Sequence, residues 1–304
     1  MSLLVVGSVA YDGVETPHGK VERMLGGAAT YIALAASHFS QVNLVGVVGD
    51  DFEPEDAQLL AAHGVDLEGL EQKPGKTFFW SGVYSDDMNE RTTLTTQLNV
   101  FADFNPQLPS SYRDSPYAVI GNIHPALQKQ VRDQMKAPLF VGGDTMNFWI
   151  EGTPFELAAA VRQWDFILIN DGEARLLTGE YSLRNAARKI LDMGPHTVVI
   201  KRGEYGAILF RPEGHFIAPG FLLETVFDPT GAGDSFAGGF MGYLAEQGIE
   251  CLDTATHEHL RKAMIYGSVM GSFCCEEFGI GRLRALTRDD IDARYREFKA
   301  FTEF

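Results

Sequence analysis

The chain has no apolar run approaching the ~20 residues that a bilayer crossing needs, so no segment reads as a membrane span. Its opening stretch, Leu3-Leu4-Val5-Val6, lacks a basic leader and a cleavage site and stops at Gly7, as a strand does. Positive charge is scarce: 25 Lys and Arg stand against 41 Asp and Glu, a formal net charge of −16. Nucleic acid is therefore excluded as a main partner, because phosphate backbones are gripped by clusters of Lys and Arg. Cysteine is nearly missing. Cys251, Cys274 and Cys275 have neither disulfide-framework nor metal-ligand spacing, and packed, reduced thiols are expected. No GxxxxGK[ST] loop occurs and no GxGxxG follows the first strand, which excludes a P-loop and disfavours a dinucleotide-dependent oxidoreductase. Internal repeats and low-complexity linkers are also lacking. What remains is a cytoplasmic protein, without membrane or nucleic-acid partners, that handles a small molecule.

The 304 residues, 45% of them hydrophobic, suit one large α/β domain spanning 1–304 with an insertion. Short apolar runs at Leu3 to Val9, Val42 to Val48, Ala118 to Gly121, Leu139 to Val141, Phe166 to Ile169 and Thr197 to Ile200 alternate with helical stretches. That alternation predicts a mostly parallel sheet with helices on both faces. Ala207 to Phe210 and His215 to Ala218 read as a hairpin, and the last third is mostly helical. The character changes between Lys76 and Phe104. Thr77 to Trp80 and Arg91 to Leu98, rich in Thr and aromatics around a polar turn, predict an antiparallel pair. Together with about 11–25, this segment (76–104) is expected to form a small inserted sheet, serving as a lid or as the face of a homodimer.

The chemistry concentrates in Asp228-Pro229-Thr230-Gly231-Ala232-Gly233-Asp234-Ser235-Phe236-Ala237-Gly238-Gly239-Phe240. Pro229 sets a turn, and Gly231-Ala232-Gly233 lets backbone approach a ligand closely. A helix begins there, and its first amides, at the positive end of the macrodipole, can hold an anion such as a transferring phosphoryl group. Asp234, on the first turn, is placed to take a proton from an attacking hydroxyl.

This string resembles the second signature of the ribokinase (PfkB) family of carbohydrate kinases. The resemblance implies a ribokinase-like fold and phosphoryl transfer from ATP with Mg²⁺. Asp234 would then be the catalytic base, with Gly231, Ala232 and Gly233 forming the anion hole. Asn170-Asp171-Gly172-Glu173 resembles the family's Asn-x-x-Glu element, so Asn170 and Glu173 are expected to organise the magnesium, mostly through water. VVIKRGEYG, from Val198 to Gly206, resembles the strand and turn lining the nucleotide, with Gly203 and Gly206 at matching glycines. Lys201 and Arg202 stand where the family more often has Thr and an apolar residue; they either reach phosphates or face solvent. Asp12, in GSVAYD, resembles the substrate-hydroxyl ligand, and Gly26 and Gly27 resemble the first signature. Tyr31 departs from the pattern, since the family usually has Asn there; it stacks on a substrate ring or packs in its helix. Asp228 and Thr230, with the region from Cys274 to Gly279, resemble a monovalent-cation (K⁺) site.

Phe79, Arg91, Asn99 and Phe101 are candidate contacts from the insertion, and Asp144 and His124 follow strands that open on the cleft. The expected reaction is ATP-dependent phosphorylation of a hydroxymethyl-type alcohol on a sugar. A nucleoside is the alternative acceptor, favoured by Tyr31 and the aromatic insertion. A non-catalytic ligand sensor on the same fold is a third reading.

Overall fold

The computed structural model describes residues 1–250 and 257–302. Cys251 lies outside the described residues. The first apolar run becomes β1 (Ser2–Val6), and the chain leaves it to form β2 (Ala10–Thr16) and β3 (Gly19–Gly26) before α1 (Ala28–Ser37). Then follow β4 (Gln41–Val48), α2 (Pro54–Ala62), β5 (Val65–Gln72), β6 (Phe78–Tyr84) and β7 (Arg91–Gln97). The alternating part runs through β8 (Tyr117–Ile120), α3 (Pro125–Gln134), β9 (Phe140–Gly143), α4 (Asn147–Gly152), α5 (Pro154–Val161), β10 (Phe166–Asn170), α6 (Asp171–Thr178), α7 (Leu183–Leu191) and β11 (Thr197–Lys201). The hairpin β12 (Ala207–Arg211) and β13 (Gly214–Ala218) precedes α8 (Ala232–Glu246), α9 (His257–Cys274) and α10 (Arg288–Thr302).

Nine strands make one sheet in the order β13-β12-β11-β10-β9-β8-β1-β4-β5. Its pairs from β5 to β11 are parallel, and the β11–β12 and β12–β13 pairs are antiparallel. β5 was not legible as a strand: VDLEGLEQ is acidic and largely outward-facing, as an edge position permits. The central strands are buried on both faces, which is why they read as apolar runs without alternation. Leu3 and Val5 of β1 face one core with α1, α8 and α9, while Leu4 and Val6 face a second core with α3, α5 and α7.

The chain passes from β1 to β4 on one side and to β8 on the other, so connections diverge at the carboxyl ends of β1 and β8. Open α/β sheets bind ligands at such a switch point. Over that end lies a second, four-stranded sheet, β3-β2-β6-β7. β6 and β7 are the expected antiparallel pair, and β2 joins β6 in parallel, with Asp12 opposite Trp80. Helix α8 is brought close to its neighbours by missing side chains. A Cβ on Gly238 would lie 2.4 Å from the Ile32 carbonyl of α1, and one on Gly239 would lie 2.7 Å from the Tyr266 carbonyl of α9.

Candidate active site

Helix α8 starts at Gly231, which has a left-handed φ of 77° and rests on the face of Tyr31. A Cβ there would meet the Tyr31 ring at 2.4 Å, so glycine is required twice over, by backbone and by space. The Ala232 amide turns back onto the Pro229 carbonyl at 3.1 Å. Among the described residues no backbone carbonyl accepts from the Gly231, Gly233 or Asp234 amides, which leaves donors facing the cleft as a helix start provides. The preceding loop is tied down by buried Asp228, whose two carboxylate oxygens accept the Thr230 and Gly279 amides, each at 2.9 Å. The Thr230 hydroxyl donates to Tyr84 of the small sheet at 3.1 Å, and the Cys274 thiol donates to the Thr230 carbonyl at 3.2 Å.

Asp234 projects from the first turn into this cleft. Burial, reinforced by the charge of Asp144, pushes its carboxyl up to about 7, against the opposing pull of Lys201 and Arg91. Asp12 behaves alike. It is 5% exposed, and burial raises it to about 7 although the Gly27 amide donates to it; Asp228 and Asp234 add to the rise and Arg91 opposes it. Gly26 makes room for Asp12, because a Cβ there would fall 2.0 Å from a carboxylate oxygen. Gly27, with φ 89°, ends β3 and starts α1 against the Ser8 carbonyl. Tyr31 is buried and its hydroxyl has no hydrogen-bond partner among the described residues. Its pKa is raised by burial and then by the nearby Asp12, Cys274 and Asp228. The sequence left two roles open for Tyr31, and its ring packs beneath the helix start.

Three neighbouring parallel strands, β9, β10 and β11, each deliver a polar group at the carboxyl end. Asp144 follows β9, Asn170 ends β10 with Glu173 in the first turn of α6 behind it, and Lys201 ends β11. Asn170 and Glu173 form a capping box: the Asn170 side chain accepts the Glu173 amide and Glu173 accepts the Asn170 amide, both at 2.8 Å. Burial, then the charge of Asp144, raises Glu173 to about 7. Lys201 Nζ lies 3.7 Å from Asp144 Oδ2 and 3.5 Å from the Gly233 carbonyl. Gly203 and Gly206 shape the next turn, where a Cβ on Gly206 would strike the Ala218 carbonyl at 2.1 Å.

The insertion candidates divide. Arg91 reaches the electrostatic field of Asp12, Glu173 and Asp234. Phe79 lies on the opposite face of the small sheet, opposite Tyr11, in a separate cavity of about 200 Å³ shared with Arg23, Asp51 and Asn99. The Asn99 side chain donates to the Thr77 carbonyl at 2.9 Å, and Phe101 stacks between Phe78 and Phe104. His124 caps α3 by accepting the Ala126 amide and packs edge-on against Trp149. Trp80 was not singled out from the sequence. It lies on the Asp12 face of the sheet, its ring covering Gly82 at 2.5 Å from where a Cβ would be, its indole N–H 3.3 Å from the Thr93 hydroxyl, and Arg91 5.3 Å from the ring.

Comparison with known proteins agrees with this layout. The family profile described as pfkB family carbohydrate kinase matches residues 2–285. A cytidine kinase of Thermococcus kodakarensis is 30% identical over 256 residues, covering 82% of this chain and 91% of that protein. Among solved structures, the nucleoside kinase of Burkholderia thailandensis in complex with inosine superposes with a TM-score of 0.76 at 23% identity, covering 97% of this chain and 98% of that one. A Vibrio cholerae fructokinase double mutant in fructose, ADP and potassium ion bound form gives a TM-score of 0.78 at 22% identity over 96% and 97%. The protein has the ribokinase-like α/β fold of these neighbours, and no helix among the described residues is long and apolar enough to cross a membrane. The chain belongs to the pfkB carbohydrate kinase family and is an ATP-dependent kinase of a sugar or nucleoside.

Proposed function

We propose that the protein transfers the γ-phosphoryl group of ATP to the hydroxymethyl group of a nucleoside. The observation that carries this reading is that Asp12 and Asp234, each buried and each under the charge of Arg91, lie within electrostatic reach of one another beside amides at the start of α8 that have no backbone acceptor among the described residues. Asp12 accepts sugar hydroxyls and sets the ring; Asp234 removes the hydroxymethyl proton; the amides of α8 hold the charge that develops on the transferring group. A carboxyl near 7 has the right affinity for a base that works at neutral pH.

Magnesium fits the residues present. Among the described residues no three His, Cys, Asp or Glu side chains are grouped to hold a metal by themselves, while the Asn170–Glu173 box presents hard oxygens beside Asp144. That donor set suits Mg²⁺ that arrives on the nucleotide and keeps several waters. When bound, the ion neutralises charge on the phosphates. A monovalent cation of the potassium type belongs to the same proposal, beside the Asp228–Thr230 loop.

The nucleoside is preferred over a free sugar because Trp80 offers a half-buried aromatic ring on the same side as Asp12, with the Arg91 guanidinium over the ring 5.3 Å from its centroid, where a base could enter between them. Such a face suits a planar base and has no counterpart in a bare pentose. The name of the Thermococcus kodakarensis relative points the same way. An ADP-release panel of hexoses, pentoses, inositol and nucleosides tests it. Nucleosides, pyrimidine ones first, should give the highest kcat/KM. Turnover confined to free sugars would remove the base-binding reading, and turnover of no alcohol would remove the catalytic one.

A further inference from the structure

Lys201 occupies an electrostatically odd place. Its side chain is 16% exposed, and its ammonium donates a long hydrogen bond, 3.5 Å, to the Gly233 carbonyl in the first turn of α8. A helix amino end is its positive pole, so cations normally collect at the other end. Burial also opposes the ammonium charge, and it is kept charged by Asp144, Glu173 and Asp234 together. A lysine whose task was to pack or to solubilise would not be driven into this position. An anion placed between the ammonium and the helix amides would satisfy both.

From this geometry we propose that Lys201 is a catalytic residue that contacts the γ-phosphoryl group in flight, and that Asp144 is the positioning residue that holds it there. The proposal rests on the kinase reading above and adds to it a second source of positive charge, supplied by β11 rather than by the helix. Asp144 and Lys201 stand at the ends of β9 and β11, two strands of a parallel sheet separated by β10. Their spacing is therefore fixed by the sheet, and Asp144 tethers Nζ at 3.7 Å without a tight hydrogen bond. The tether has a second effect. With Asp144 as its nearest carboxylate, the ammonium is kept from pairing with Asp234, which stays free to accept the acceptor's proton. As the phosphoryl group leaves ADP for the hydroxymethyl oxygen, its P–O bond to ADP breaks, a new one forms, and the hydroxyl proton passes to Asp234; Lys201 holds its own protons throughout and contributes charge alone.

The test separates the γ-phosphoryl contact from general nucleotide binding. Calorimetry would compare the magnesium complexes of a non-hydrolysable ATP analogue and of ADP on wild type, Lys201→Met, Lys201→Arg and Asp144→Asn. We expect Lys201→Met to weaken the analogue about tenfold more than ADP, as loss of a charge-assisted contact would. Lys201→Arg should restore most of that difference. In turnover, Lys201→Met should lower kcat by ~10²–10³, as removal of a transition-state donor does. Asp144→Asn should lower kcat while leaving the KM for ATP within about threefold, the pattern of an interaction needed only in the transition state. Equal weakening of analogue and ADP by Lys201→Met, or none, would overturn the assignment with the kinase reading intact. A wild-type protein that bound neither nucleotide would overturn both.

Discussion

Asp234 is held in a cleft that burial makes unfavourable for a carboxylate, and two consequences of opposite sign follow. As the proposed base, Asp234 must be ionised, so kcat/KM should be full above about pH 7 and fall as pH drops through that value. Asp234→Asn should lower kcat by ~10²–10⁴ with an unchanged circular dichroism spectrum. For stability the relation reverses. Between the ordinary carboxylate range and about 7 the unfolded chain is ionised here while the folded one keeps its proton, so folding loses stability as pH rises through that window. Asp234→Asn should therefore melt higher than wild type near about pH 8, with the gap closing toward about pH 4. Equal melting temperatures at the higher pH would show that the site is not strained by this acid. Trp80 makes a third residue-scale prediction: Trp80→Ala should raise the KM for a nucleoside roughly tenfold or more, the usual worth of one stacked base, and leave the KM for ATP unchanged. Asp234, Asp12, Glu173 and the glycines were legible because their chemistry is local, written in contiguous motifs at helix starts and strand ends. Trp80 and the Lys201–Asp144 pair were not. Trp80 shares a face with Asp12 only because β2 and β6 pair in parallel with that register, and register between distant strands leaves no mark in either segment.

At the scale of elements, the amino end of α8 is positioned by what its glycines leave out. Gly238 faces the Ile32 carbonyl and Gly242 faces Ala36, both on α1, while Gly239 faces α9. Because α1 begins at the Gly26–Gly27 turn that accommodates Asp12, these contacts tie Asp234 and Asp12, the proposed base and substrate ligand, to one pair of helices. A single added methyl at Gly238 would have to push a backbone carbonyl, which cannot rotate away as a side chain can. Gly238→Ala should cost about 1–3 kcal/mol of stability, read from denaturant unfolding, and should lower kcat in the folded fraction because α8 shifts against α1. Retained stability would mean that the helices part without resistance. The alternation of strands and helices was readable in the sequence. β5 escaped notice because its acidic residues hide the apolar pattern on which strand recognition depends.

Across the whole molecule, the small sheet is joined to the body on both sides of the cleft. β2 and β3 run straight into α1 through the Gly26–Gly27 turn, whereas among the described residues the β6–β7 end meets the other side of the cleft through side-chain hydrogen bonds. Tyr84 accepts from Thr230, and at the hairpin turn Asn89 donates at 3.4 Å to Glu204, within the Gly203–Tyr205 turn. An exposed hydrogen bond of that length is weak, so the hinge-like side is covalent and the far side is lightly latched. As a proposed lid, such a sheet would open for exchange of substrates and close to exclude water during transfer. Hydrogen exchange should then show the amides of 84–97 protected strongly only when magnesium nucleotide and acceptor are bound together, and weakly with either alone, because each ligand touches only one side of the cleft. Asn89→Ala should speed exchange in the doubly bound state and leave exchange in β2 and β3 unchanged. If one ligand alone gave full protection, the sheet would be a fixed wall of the acceptor pocket, and water would have to be excluded by the acceptor itself.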